Sequence, residues 1–186
     1  MEPVELRTPR LRLSVPVAAD AEAVYDACQN PDIQRYTTVP SPYTRTHAAA
    51  FPVTAAKGWD EETDAVWAVR SGDALAGMVG LHRLGAGSGE LGYWLAPAFR
   101  GGGVMTEAAD AVVTWGFTGP LRLARIEWRA VVGNTGSAAI AQRLGFRYGG
   151  MLRSALRNGS GQRSDGWIAD LLPTDPRTPC AWDAVD

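Results

Sequence analysis

The sequence predicts an α/β fold of the α+β kind, a mixed and mostly antiparallel sheet flanked by about four helices. Three observations carry this expectation. Segments that alternate apolar and polar residues stand beside segments of helical spacing; three alternating segments follow one another across tight turn signals; and one strand runs through three glycines straight into a helix.

The first alternating segment is "RLRLSVP", where Leu11, Leu13 and Val15 share one side of a half-buried strand. "ADAEAVYDACQN" then reads as a helix with Asp20 as its cap and Pro31 as its stop. The Pro-rich "TTVPSPYTRTHAAAF" reads as a loop leading into a second helix that starts around Thr44 to Thr46 and ends near Gly58. That loop is long for a compact domain, so Tyr36 to Tyr43 is a candidate wall of a binding site, with an ordered surface loop as the alternative. "AVWAVRS", "ALAGMVGLHRL" and "GELGYWLA", separated by "SGD" and "GAGSG", suit an antiparallel meander.

After the glycines the period changes. "VMTEAADAVVTWGF" spaces Val104, Ala108, Ala111, Val112 and Trp115 as a helix, and "ARIEWRAV" returns to a short strand. "NTGSAAIAQRLGF" is a helix that begins near Asn134 or Thr135 and stops at Gly145. Two last strands, "YGGMLRSALRN" and "RSDGWIADLL", flank a turn at "GSG". The tail 173–186, with three prolines and an exposed-looking Trp182, is expected to wrap the surface of a single domain spanning 1–186.

Composition limits the function classes. At 186 residues and 46% hydrophobic the chain can bury a sizeable core. A net charge of -2 argues against a general nucleic-acid binder, and arginine carries the positive charge, since Lys57 is the sole lysine. Cys28 and Cys180 lie far apart, and His47 and His82 have no ligand-spaced partners, so neither a disulfide framework nor a metal site is indicated. The N-terminus lacks the apolar core of a signal peptide, and no apolar run approaches the roughly 18 residues of a membrane span. A cytoplasmic protein without a membrane partner is expected, and a homodimer is compatible with the chain.

The stretch "YWLAPAFRGGGVMT" is the most informative. Glycines between a strand and a helix expose unshielded backbone N–H groups at the positive end of a helix dipole, which makes an anion cradle. A plain flexible turn is the alternative. The Walker A pattern is absent, and the dinucleotide pattern meets Thr106 where its third glycine belongs.

Arg100, Gly101, Gly102, Gly103, Val104 and Met105 instead follow, in order, the Q/R-x-x-G-x-G/A pyrophosphate loop of the GNAT N-acetyltransferases, with Met105 where a small residue is usual. "NTGSAAIAQRLGFRYGGMLR" resembles the N-x-x-S…LGF…G-x-L-R segment of the RimJ/RimL-type branch, and "TPRLRLSVP" and "ELGYWLAPAFRGGGVMTEA" extend the similarity over most of the chain. The resemblance implies a GNAT-like sheet of seven strands or so that splays in the middle, with acetyl-CoA as co-substrate wedged in the opening. Tyr93, Trp94 and Leu95 would then pair with the pantetheine, which is peptide-like and suited to a strand edge. Pro97, which lacks an N–H, marks where pairing ends. Main-chain groups from Gly101 to Thr106 would hold the pyrophosphate, and Asn134 would contact the pantetheine arm, with helix capping as the alternative role.

Acyl transfer from a thioester to an amine needs a route for the amine proton and benefits from a proton donor at the departing sulfur. The resemblance offers Ser137 as that donor, with helix capping as the alternative role. Glu90 is the first choice of base, with a paired structural acid as its alternative role; Asp165 is the second and His82 the third, a lone strand histidine more often being a satisfied surface or core residue. The seven tryptophans are mostly core by pattern. The expected activity is an acetyl-CoA-dependent N-acetyltransferase acting on a protein N-terminus or a small-molecule amine. A silent acyl-CoA-binding module, or a transferase of another acyl group such as succinyl, is the alternative, because fold does not decide function.

Overall fold

The computed structural model describes residues 1–183 and 185. Eight strands form one sheet: β1 (Leu6–Arg7), β2 (Leu11–Ser14), β3 (Ala65–Ser71), β4 (Ala74–Gly85), β5 (Ser88–Leu95), β6 (Arg125–Val131), β7 (Arg147–Arg157) and β8 (Arg163–Leu171). Their order across the sheet is β1-β2-β3-β4-β5-β6-β8-β7. All neighbours are antiparallel except β5 and β6, which the crossover helix α4 (Val104–Thr118) joins in parallel.

That parallel pair is short. It runs from Ser88 opposite Arg125 to Leu91 opposite Trp128 and no further. Beyond it β5 stays paired with β4 as far as Leu95, and β6 stays paired with β8 as far as Val131. The two halves of the sheet therefore part after Leu91, each held by its outer neighbour. The splayed sheet that the resemblance implies is present, with eight strands among the described residues.

Among the described residues the α-helices number five rather than about four. Besides α1 (Ala21–Cys28), α3 (Arg45–Asp60), α4 and α5 (Thr135–Arg143), a short α2 spans Pro31–Tyr36. Pro31 ends the first helix but also opens the next: Asn30 Oδ1 accepts from the N–H groups of Asp32 and Ile33, and a proline in the first turn leaves no donor to satisfy. Asp20 also departs from expectation. Its carboxylate does not cap α1; it accepts from Val17 N at 2.8 Å and from both ends of the Arg70 guanidinium at 2.8 Å, a buried bidentate pair.

The sheet is covered on both faces. On one, Trp67, Val79, Leu81, Leu91 and Ile126 pack against Met105, Ala108, Ala109, Val112 and Val113 of α4. Trp59, Trp67 and Trp115 meet edge to face there, with centroids 4.8 to 5.6 Å apart. On the other, Ala68 and Met78 pack against Val24, Cys28 and Ile33, joined by Trp94. Trp182 is not exposed as its Pro-rich surroundings suggested. It is 3% exposed, donates from Nε1 to Phe146 O at 2.9 Å and packs against the Trp128 ring, so the tail closes the core over α5 and β7.

Candidate active site

The glycine loop owes its shape to backbone conformation. β5 ends at Leu95, Pro97 to Phe99 form a single tight turn, and the chain then passes through Gly101 at φ +83° and Gly103 at φ +74° into α4. Both φ values fall in the left-handed region that favours glycine, whereas a Cβ at Gly101 or Gly102 would meet nothing within 4 Å. Bare backbone is needed for the turn, which leaves the N-terminus of α4 unshielded.

Two arginines brace the loop. Arg100 donates from Nε to Leu95 O at 3.3 Å and from its terminal nitrogens to Asn30 Oδ1 and Asp32 Oδ2, both at 3.3 Å, tying the loop to the start of α2. From the β1–β2 turn, Arg10 donates to Gly102 O at 3.0 Å and to Glu107 Oε2 at 2.6 Å, while Thr8 Oγ1 donates to Glu107 Oε1 at 2.5 Å. Burial pushes the Glu107 carboxyl up, but the hydrogen bonds from Thr8 and Arg10 outweigh it and hold the group below its ordinary value. This brace joins residues some 97 positions apart, and the sequence reading did not find it.

A cavity of about 530 Å³ opens where β5 and β6 part. Tyr93, Trp94 and Leu95 form one wall; Asn134, Thr135, Gly136 and Ser137 at the start of α5 form the other; Arg100, Gly101, Gly103, Val104, Met105 and Thr106 close one end. Of the loop residues proposed from the sequence, Gly102 alone is off the lining, its carbonyl turned to Arg10. Met105 reaches from the lining into the core and is 2% exposed. Tyr36 and Thr37 of the long connection also line the cavity, and Tyr36 Oη donates to Gly133 O across it at 3.5 Å.

Asn134 caps α5, its side-chain oxygen accepting from Ser137 N at 3.3 Å. Ser137 Oγ donates to Tyr93 Oη at 3.1 Å; Tyr93 Oη donates to Ser137 O at 2.9 Å; and Trp128 Nε1 donates to both hydroxyl oxygens at 3.1 Å. Burial raises the Tyr93 phenol well above its ordinary value, against the smaller lowering effect of its hydrogen bonds with Ser137 and Trp128, so it stays protonated. The Tyr93 hydroxyl is thus tied to the start of α5 across the cavity. Its proximity to Ser137, 44 residues away, had no signal in the sequence.

The carboxylates lie apart from that lining. Glu90, opposite His82 on β4 and Glu127 on β6, has its Oε2 buried 3.3 Å from Arg83 and 3.6 Å from Arg129. Asp165 on β8 accepts from Ser154 N at 2.7 Å and so fixes an irregular stretch of β7. His82 Nδ1 pairs with Asp64 Oδ1 at 2.8 Å. Among the described residues no group of three or more His, Cys, Asp and Glu is placed to hold a metal, and no helix is long and apolar enough to cross a membrane.

A parted sheet with the unshielded start of α4 at one end of the gap and two hydroxyls along its wall is a candidate acyltransferase site. Comparison with known proteins agrees: the acetyltransferase (GNAT) domain family matches residues 10–147, and the chain belongs to it. It is an N-acetyltransferase with acetyl-CoA as co-substrate. YoaA of Bacillus subtilis (strain 168), an uncharacterized N-acetyltransferase, is 29% identical over 160 residues, 83% of this chain and 90% of YoaA. YdaF of the same organism, provisionally named a ribosomal N-acetyltransferase, is 39% identical over 85 residues, so the match spans only 45% of this chain and 46% of YdaF. Among solved structures, RimL, a ribosomal L7/L12 α-N-protein acetyltransferase in complex with coenzyme A, superposes with a TM-score of 0.81 at 18% identity, covering 92% of this chain and 98% of RimL. The microcin C7 self-immunity acetyltransferase MccE, in complex with acetyl-CoA and AMP, gives 0.79 at 22% identity over 89% of this chain and 93% of that one. At such identities the likeness establishes the fold.

Proposed function

We propose that this enzyme acetylates the N-terminal amine of a cytoplasmic protein, with acetyl-CoA held between β5 and β6 in a single domain. The observation that carries the reading is the parting of these strands after Leu91, with the glycine loop at one end of the gap and the Ser137 and Tyr93 hydroxyls on its walls. The pyrophosphate would rest on the N–H groups of the loop and the first turn of α4. The pantetheine amides would pair with the edge of β5 from Tyr93 to Leu95, which no strand among the described residues occupies. Ser137 would donate a proton to the departing sulfur by turning its hydroxyl from Tyr93 Oη, while Trp128 Nε1 keeps hold of its oxygen. Glu90, one residue before the last β5–β6 pair and on the opposite face of β5 from Tyr93, would draw the ammonium form of the acceptor toward the gap.

The protein acceptor is supported by the likeness to YdaF and RimL. Peptides with free N-termini and the same peptides blocked by formylation, offered with acetyl-CoA alongside small primary amines, test it by mass spectrometry. Acetylation confined to free peptide N-termini is expected; turnover of small amines alone would refute the protein acceptor.

A further inference from the structure

The His82–Asp64 pair, outside the cavity lining, is not used by the reading above. We infer that His82, oriented by Asp64, takes the proton from the acceptor amine. The inference rests on the gap being the acyl-transfer site.

The geometry has three parts. First, the imidazole stands at the point where the strands part. A Cβ at Gly92 would lie 2.9 Å from His82 Cδ2 and 3.1 Å from Nε2, and a Cβ at Gly80 would lie 3.2 Å from Nε2. Gly80 and Gly92 are register partners, so two facing glycines clear the space the ring occupies. Gly92 is the first β5 residue beyond the last β5–β6 pair. Second, successive strand residues point to opposite faces. Tyr93 reaches Ser137 on one face, and the His82 ring covers Gly92 on the other. Donor and acceptor of protons therefore flank the same two residues of β5 from opposite sides of the sheet. Third, the ring is oriented. The Asp64 carboxyl is held below its ordinary value, chiefly by the hydrogen bond from His82, so it accepts and Nδ1 donates. That leaves the Nε2 lone pair free, the arrangement in which a carboxylate prepares an imidazole as a base.

The charged groups around the ring are Asp64 from the segment before β3, Glu90 from β5, Arg83 from β4 itself and Arg129 from β6, the last two pairing with Glu90. Glu90 Oε2 is engaged by two guanidinium groups, whereas His82 Nε2 has no ion-pair partner among these contacts. Both His82 and Asp64 keep more than a third of their side-chain surface exposed, which gives the proton a way to solvent.

The step balances as follows. The ammonium gives one proton to His82 Nε2, and the freed nitrogen attacks the thioester carbonyl carbon. The C–N bond forms, the C–S bond breaks, and the sulfur takes a proton from Ser137. The second proton on nitrogen returns through solvent to Ser137, His82 releases its proton to solvent, and amide, free CoA and one proton result.

The test is the pH profile of kcat/KM for whichever amine of the peptide and small-amine panel turns over fastest. The choice of amine thus judges the acceptor, and the profile judges His82. The parent enzyme is expected to lose activity on the acid side with unit slope. His82→Asn should lower kcat/KM by about 10²-fold or more, abolish that limb and leave acetyl-CoA affinity within about twofold. Asp64→Asn, which keeps the imidazole but not its partner, should lower kcat by about 10-fold and displace the limb, with acetyl-CoA affinity again unchanged. An acid limb retained by His82→Asn and lost in Glu90→Gln would overturn the inference. Should His82→Asn fail to fold, an Asp64→Asn profile superimposable on the parent's would overturn it equally.

Discussion

Replacing Ser137 by alanine separates the chemical role of its hydroxyl from its structural one, because the surrounding network closes without it. Once Oγ is gone, Trp128 Nε1 still donates to Tyr93 Oη, Tyr93 still donates to the main-chain oxygen of residue 137, and Asn134 still caps the N–H. No buried donor is orphaned. The loss is the net worth of a neutral hydrogen bond, about 1 kcal/mol, which for a chain of this size moves Tm by roughly 2 to 4 °C. Catalysis should suffer more. The CoA thiol is an alkyl thiol like that of cysteine, whose pKa is about 8.5, so its thiolate leaves tolerably near neutrality, and the donor is worth about 10- to 100-fold in kcat, the low end of acid–base contributions. Calorimetry for acetyl-CoA, thermal melting and steady-state kinetics on Ser137→Ala make the comparison. A kcat equal to the parent's would refute the donor role and leave Ser137 as a residue of the α5 cap. A Tm loss beyond about 10 °C would refute the claim that the network closes.

Three further outcomes are expected. Gly103→Pro should abolish acetyl-CoA binding while circular dichroism stays native, because proline fixes φ near -65° where the loop needs +74° and removes an N–H at the start of α4. Glu90→Gln should raise KM for the amine about fivefold, the worth of about 1 kcal/mol of charge attraction, with kcat within about threefold of the parent; equal KM values would remove Glu90 from the acceptor's approach. Glu107 links stability to pH: because its native pKa is depressed, its contribution is present above the ordinary 4.5 and is lost as pH falls through the lower native value. The stability gap between the parent and Glu107→Gln, followed by urea unfolding, should therefore be full at neutral pH and narrow below about 4.5, whereas a gap independent of pH would contradict the Arg10 and Thr8 brace.

The parts of the fold that the sequence shows are those written in local periodicity. The β3–β4–β5 meander, the α4 crossover and the glycine loop follow from alternation, helical spacing and the cost of bare backbone, and each appears where those signals lie. Elements that depend on distant partners were less legible. Pro31 signals both a stop and a start, and only the Asn30 cap behind it decides in favour of α2. Asp20 looks like a cap until Arg70, fifty residues away, claims it. Trp182 sits among prolines in a tail, and its burial depends on a place prepared by Trp128 and Phe146. At the site, the loop and the Asn134–Ser137 pair were visible as motifs, whereas the side-chain role of Tyr93, the Arg10 brace and the two glycines under His82 exist only after the strands have paired.

The measurement that bears most directly on the central claim is a crystal structure with coenzyme A bound. The account predicts the pyrophosphate on the amides between Gly101 and Thr106, the pantetheine paired with β5 from Tyr93 to Leu95, and the sulfur within hydrogen-bonding distance of Ser137 Oγ at the point where β5 and β6 part. Coenzyme A bound outside the gap, or in it with the sulfur directed away from Ser137 and Tyr93, would contradict it.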